Sequence, residues 1–248
     1  PQEVLAIFKE TDIDIEVSGT GLVKVLTHEV NKTALLCRMP ECLISTYLDN
    51  MPLAAELKAD FEWAKSIAVG PGLSMNVAAA EITRCVLERE DKVRILDADA
   101  LNIIAAEHID YKGSSEGKII ITPHIMEMSR LTGKTVADIK EHMIESAKEY
   151  AIQHSCICIL KDARTVVTDG QKVYINCTGN DGMSTGGCGD VLTGLIAGMT
   201  AMGLDAFEAA CLSVYVHGKA GDYAAAGKGR AGMTAADISE AIAYVLKR

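Results

Sequence analysis

The chain has 248 residues, 49% of them apolar and 23% charged, with a formal net charge of −10. Such a composition suits a globular α/β protein of one domain, or of two small ones. It excludes a non-specific nucleic-acid binder, which needs a basic face, and no stretch reaches the ~18 apolar residues of a membrane span.

Residues 4–8 read as a strand or a short helix. Residues 22–26 alternate like a strand after Gly19 and Gly21, and residues 42–47 give another. Pro52 fits a helix start, with Leu53, Leu57, Phe61 and Ala64 as its apolar stripe. Residues 67–69 form a short apolar strand that ends in Gly70-Pro71-Gly72. A helix follows over 76–88, then a strand over 93–96 that runs into a helix from Asp97. Residues 118–121 are a strand closed by Thr122-Pro123-His124. Thr135 and Asp138 read as a capping box that opens one long helix, with Val136, Ile139, Met143, Ala147 and Tyr150 on one face. Strands are expected over 156–160, 165–168 and 172–175, the last two joined by a tight Asp169-Gly170 turn. Three helices, over 190–202, 206–225 and 234–246, complete the chain, the last opened by Thr234 and Asp237. Strands alternating with helices through short connections imply a parallel sheet covered on both faces.

No signal-peptide pattern opens the chain. Its eight cysteines lack metal-ligand spacing and read as buried free thiols in a reducing, cytoplasmic compartment.

Ligands of an open parallel sheet sit beyond the carboxyl ends of the strands. The segments to inspect are therefore 70–74, 97–101, 122–124, 161–165 and 179–190. In the last of these, Gly186, Gly187, Cys188 and Gly189 lead into a helix start, where unpaired N–H groups and the helix dipole favour an anion. Asp190 places a carboxylate at that same point. Either it is an ordinary first-turn acid, worth about 0.3–1 kcal/mol, or it accepts the proton of a hydroxyl attacking a held phosphoryl group. The glycines around it, with Gly194 and Gly198 behind, favour the second reading. Lys161, Asp162, Ala163, Arg164 and Thr165 offer two cations and a hydroxyl that would grip a nucleotide phosphate; taken alone, they also fit a solvated hairpin edge. Gly72 allows close backbone approach to a ligand or makes a plain turn. His124 is a substrate contact or a structural histidine. Asp97 and Asp99 hold a metal–water cluster or cap the next helix. Cys188 reads as a small spacer.

Seven stretches, in order, resemble the ADP- or ATP-dependent NAD(P)H-hydrate dehydratases of the ribokinase-like superfamily. They are SGTGLVKVLT (18–27), GPGLS (70–74), LDADALN (96–102), ITPHIMEMSRLTG (121–133), ILKDARTVVTDG (159–170), GNDGMSTGGCGDVLTGLIAGM (179–199) and VYVHGKAGD (214–222). The resemblance implies a single α/β domain over 1–248, a ribokinase-like three-layer sandwich with a mostly parallel central sheet. It implies the S-form of hydrated NADH or NADPH as substrate, ADP or ATP as phosphoryl donor, and Mg2+ on the phosphates. Phosphorylation of the hydrate hydroxyl and loss of phosphate would restore the nicotinamide. Asp190 matches the family's catalytic base. Lys161 through Thr165 and Gly189 match its nucleotide contacts, and Gly72, His124 and Asp190 its hydrate contacts. A homo-oligomer, such as a tetramer, is expected. A vitamin-precursor kinase of the same superfamily is the alternative, and a non-enzymatic nucleotide sensor a third reading. Two departures stand out. Asp162 replaces the family's glycine, and residues 1–18 do not match the family's glycine-rich opening segment.

Overall fold

The strands of this chain are apolar on both faces, so they demand cover on both. In the computed structural model, which describes residues 3–7, 22–48, 57–114 and 118–247, that cover is complete over the central strands and partial at the two edges, where Leu43, Val173 and Ile175 stay exposed. The strands are β1 (Glu3–Ile7), β2 (Leu22–His28), β3 (Leu43–Tyr47), β4 (Ser66–Val69), β5 (Val93–Leu96), β6 (Ile119–Ile121), β7 (Ile157–Leu160), β8 (Val166–Thr168) and β9 (Val173–Ile175). They form one sheet in the order 3-2-1-4-5-6-7-8-9. The pairings up to β7 are parallel, and β8 and β9 close the edge as an antiparallel hairpin. The Asp169-Gly170 turn is made as expected: the Asp169 carboxylate accepts the N–H groups of Gln171 and Lys172, and Gly170 takes φ 93°.

The two-residue period of a strand sends alternate side chains to opposite layers. On one side Ile67, Val69, Leu96, Ile119, Ile121 and Leu160 meet a helical layer. That layer is α2 (Lys58–Trp63), α3 (Val77–Leu87), α4 (Ala98–Ala106), α5 (Ile125–Thr132), α6 (Val136–Glu141) and α7 (Met143–His154). On the other side Ala68, Ile95, Ile120 and Ile159 meet α8 (Cys188–Ala201) and α9 (Ala206–Lys228). A further core joins α8, α9 and α10 (Ala235–Leu246). This is the mostly parallel three-layer arrangement the sequence implies. No helix among the described residues is long and apolar enough to cross a membrane.

Several expectations need correction. The long helix through Val136 and Tyr150 is two helices, broken at His142 (φ −126°, ψ 49°); both still carry Ile139, Ala147 and Tyr150 into one core. Thr135 caps the first through the Asp138 N–H. Helices α1 (Lys32–Arg38) and α5 were not expected. The signal for α5 was hidden because its N-cap is His124, outside the usual Ser, Thr, Asp and Asn set. Helix α8 starts two residues earlier than expected, at Cys188, with Gly187 as N-cap at φ 84°. The Thr234–Asp237 capping box is present. The expectations on Gly19, Gly21, Pro52 and Leu53 lie outside the described residues.

Candidate active site

Because β4 to β7 run parallel, the residues that follow them gather at one edge of the sheet. Gly70 follows β4, Asp97 follows β5, Thr122 to His124 follow β6, and Lys161 follows β7. Two of these segments are tied directly. Lys161 N–H donates to the Pro123 carbonyl at 2.8 Å, and His124 and Lys161 form an isolated parallel bridge. Gly70 shows how tightly the edge is built: a methyl group there would stand 1.8 Å from the Asp97 carbonyl oxygen.

Asp97 stands at the N-cap of α4 but makes no capping bond with its side chain. Its carboxylate turns across the sheet edge instead. Oδ1 accepts from Lys161 Nζ at 2.8 Å, and Oδ2 accepts from Thr193 Oγ1 of α8 at 2.7 Å. Asp97 is 1% exposed, so its charge stands on these partners rather than on water. Burial works against its ionisation, but the Lys161 ammonium and the hydroxyls of Thr193 and Thr122 outweigh it and hold the carboxyl below its usual range. Lys161 shows the converse balance: burial opposes its charge, and Asp97 and Glu127 raise its pKa regardless. Asp99 does not cap either; its carboxylate accepts the Ser74 N–H at 2.7 Å and so pins the turn after Gly72.

His124 turns out to be the N-cap of α5. Its Nδ1 accepts the Glu127 N–H, and the Glu127 carboxylate accepts the His124 N–H at 2.8 Å. That bond makes Nδ1 the acceptor nitrogen, leaving the proton of the neutral ring on Nε2. Burial, then Lys161, lowers the His124 pKa, and burial pushes Glu127 up to about 7.

A cleft of about 740 Å³ opens along this edge toward α8 and α9. Its walls include His124, Lys161, Asp162, Ala163, Arg164, Thr165, Cys188 and Gly189, so most of the residues singled out in the sequence share one cavity. Gly189 lies against the ammonium: a methyl group there would sit in contact with Lys161 Nζ, at 3.4 Å. No side chain caps α8, and Gly187 turns the loop into it. Asp190 occupies the first turn of this helix, close enough for its charge to raise the Lys161 pKa. Burial raises the Cys188 thiol above its ordinary pKa, which fits a spacer rather than a thiolate nucleophile. Gly72, Gly186, Gly187 and Asp190 do not form part of the cleft wall.

The sequence reading missed the cleft's far wall, which belongs to α9. Gly218 and Gly221 lack side chains because the glycine loop lies against them. Methyl groups there would reach 2.1 Å from Thr178 Oγ1 and 2.3 Å from Met183 Sδ. Asp222 holds the loop in place by accepting from Gly179 N–H and Asn180 Nδ2, both at 3.1 Å. His217 lines the cleft too; it is buried, its Nε2 has no hydrogen-bond partner, and burial pushes its pKa down to about 4. The stretch 214–222 carried the signal for this wall, since two glycines inside a long helix are costly unless something packs on them.

Residues 16–244 match the model of the NAD(P)H-hydrate dehydratase family. The chain belongs to that family. A bifunctional NAD(P)H-hydrate repair enzyme from Moorella thermoacetica is 45% identical over 183 residues, 73% of this chain and 34% of that protein. An ADP-dependent (S)-NAD(P)H-hydrate dehydratase from Neisseria meningitidis is 31% identical over 219 residues, 87% of this chain and 71% of its own length. The chain thus spans only a third to a half of the first bifunctional relatives it matches. The ADP/ATP-dependent NAD(P)H-hydrate dehydratase of Bacillus subtilis, crystallised with ATP and Mg2+, superposes with a TM-score of 0.86 at 29% identity, covering 99% of this chain and 91% of that one. A ribokinase-like superfamily protein from Enterococcus faecalis gives the same TM-score at 26% identity, covering 99% and 87%. The dehydratase family therefore supplies the fold context in which the strand-end cleft is read.

Proposed function

We propose that this chain dehydrates the S-form of NAD(P)H hydrate at the expense of ADP or ATP. The observation that carries the reading is the juxtaposition of the Lys161 ammonium with the uncapped first turn of α8, within one cleft that also holds Arg164 and Thr165. A phosphoryl group bound there meets a fixed cation and backbone N–H donors, which is the stabilisation phosphoryl transfer requires. Arg164 and Thr165, toward solvent, grip the remaining phosphates. The Asp190 carboxylate takes the proton of the hydrate hydroxyl as its oxygen bonds to phosphorus and the nucleotide's bridging oxygen leaves. The phosphate ester then breaks at carbon. Phosphate departs with the electron pair, the adjacent carbon gives up a proton to water, and the electron pair of that C–H bond restores the nicotinamide double bond. Gly72, through close backbone approach, and His124, through Nε2, are the proposed hydrate contacts.

Among the described residues no group of three or more His, Cys, Asp and Glu side chains gathers to hold a metal ion. The described residues therefore offer no ligand set of their own for a resident metal ion. The magnesium expected with this chemistry would arrive on the nucleotide's phosphates.

The test is incubation of the protein with the S-hydrate, magnesium, and ADP or ATP in parallel. Return of the reduced-nicotinamide absorbance with one or both donors supports the reading. A stable phosphorylated product found by mass spectrometry would favour a small-molecule kinase instead. No turnover with either donor would overturn the dehydratase reading.

A further inference from the structure

An aspartate at a helix N-cap ordinarily caps, because that bond satisfies an orphan N–H at once. Asp97 forgoes it. The backbone around Asp97 is bent to the same end: Ala98, the next residue, has φ 45°, a left-handed conformation that is costly for a residue with a Cβ. Gly70, at φ 124°, leaves room for the Asp97 carbonyl. Strain of this kind persists only where the surroundings enforce it. What the strain achieves is a carboxylate aimed away from its own helix and clamped between Lys161 and Thr193, on two other elements.

Lys161 needs such a partner. Its ammonium lies beside Gly189 in the first turn of α8, where the helix dipole repels a cation. We propose that Asp97 is a positioning residue that acts through Lys161, its carboxylate, itself held by Thr193, fixing the ammonium over the first turn of α8 where the transferred phosphoryl group is to sit. This rests on the phosphoryl-transfer reading above and deepens it. Asp97 touches neither nucleotide nor hydrate; Lys161 does the binding, and Asp97 sets its place and its charge. The other charged or titratable groups that face Lys161 are Glu127 and His124 from α5 and its cap, Asp190 from α8, and His217 from α9. Asp97 is the group that accepts a hydrogen bond from the ammonium, at 2.8 Å.

Two measurements test this. The first needs no substrate: the Lys161 side chain is followed by NMR as pH is raised, in the wild type and in Asp97→Asn. Loss of the Asp97 charge leaves the burial of Lys161 in place, so the lysine should titrate at least about one pH unit lower in the variant. Thr193→Val should move it the same way by less. An unchanged titration in Asp97→Asn overturns the proposal, and it does so even if the wild type has no dehydratase activity. The second is a double-mutant cycle on kcat. Asp97→Asn should lower kcat by about 10- to 100-fold, the scale of a misplaced catalytic group, while Asp97→Asn/Lys161→Met should be no slower than Lys161→Met alone. Losses that multiply would mean Asp97 acts independently of Lys161, and the proposal fails. The double variant removes both charges together, so it escapes the instability of leaving one of them buried alone.

Discussion

The five residues 161–165 were read as one phosphate grip, yet the two ends of the segment live under different physics. At the inner end, Lys161 is drawn into the sheet edge and tied to a carboxylate that is itself 1% exposed. At the outer end, Asp162 and Arg164 are exposed, and the side chains of Arg164 and Thr165 donate to backbone carbonyls of their own loop, at 3.2 and 3.4 Å. The inner end is preorganised: its charges are paired, largely desolvated and oriented before any ligand arrives, which is where electrostatics contribute most to a transition state. The outer end stays adaptable and screened, suited to holding a nucleotide rather than activating it. On the proposed function, adjacent residues of one motif would differ in task, Lys161 holding the transferred group and Arg164 and Thr165 the rest of the nucleotide.

The largest effect expected at the inner end is on Asp190. Asp190→Asn should lower turnover about 10²–10⁴-fold, measured as kcat with the S-hydrate, with the nucleotide Kd from calorimetry little changed. A variant that keeps wild-type turnover would remove Asp190 from the base role and leave the inner end as a binding device alone.

Stability should separate the two ends next. Lys161→Met leaves Asp97 charged and buried with only hydroxyl partners, which should cost about 3 kcal/mol in a denaturant titration. Arg164→Ala, an exposed change outside any network, should stay within about 0.5 kcal/mol while weakening nucleotide binding. Equal losses from the two would erase the distinction.

How much of this was legible in the sequence follows from what each signal is made of. The strands after residue 66 were legible because buried parallel strands are short unbroken apolar runs, such as Ile119–Ile121. The site edge was legible because topology alone sends residues after parallel strands to one side. What stayed hidden was partnership. Nothing in the spacing of Asp97, Lys161 and Thr193 reveals that they meet, since three separate elements bring them together. His124 looked like a ligand contact or a structural residue and is demonstrably a helix cap, through a nitrogen that seldom serves as one. The α9 wall stayed hidden because the expected helix over 206–225 does not say that residues 178–183 pack against Gly218 and Gly221.

His217 in that wall makes a smaller, pH-dependent prediction. Burial lowers its pKa to about 4 against an unfolded value near 6.5, with the Cys188 backbone favouring the charged form and Lys161 opposing it. The unfolded chain therefore takes up the proton first. The stability His217 contributes is complete above about pH 6.5 and is lost as pH falls toward 4, by up to about 3 kcal/mol. Glu127, raised to about 7, has the opposite sign: its contribution is present below its unfolded value near 4.3 and fades as pH rises through about 7. Denaturant titrations between pH 7 and 4 should show His217→Gln losing less stability on acidification than the wild type. Parallel curves would mean the ring is not held neutral by burial.

The smallest expected effect lies at the outer end, at Asp162. Asp162 lines the cleft but is exposed, and its backbone carbonyl accepts the Thr165 hydroxyl at 3.4 Å. An exposed carboxylate repels a phosphate only through screened solvent, an interaction of at most about 1 kcal/mol. Asp162→Gly should therefore tighten nucleotide binding by no more than about fivefold, and the gain should shrink as salt is raised past ~0.15 M, where the Debye length falls below about 8 Å. The catalytic rate with saturating nucleotide should not change, because the inner end is untouched. A large gain that survives high salt would place Asp162 in direct contact with the nucleotide, and the boundary between the two ends would have to move outward by at least one residue.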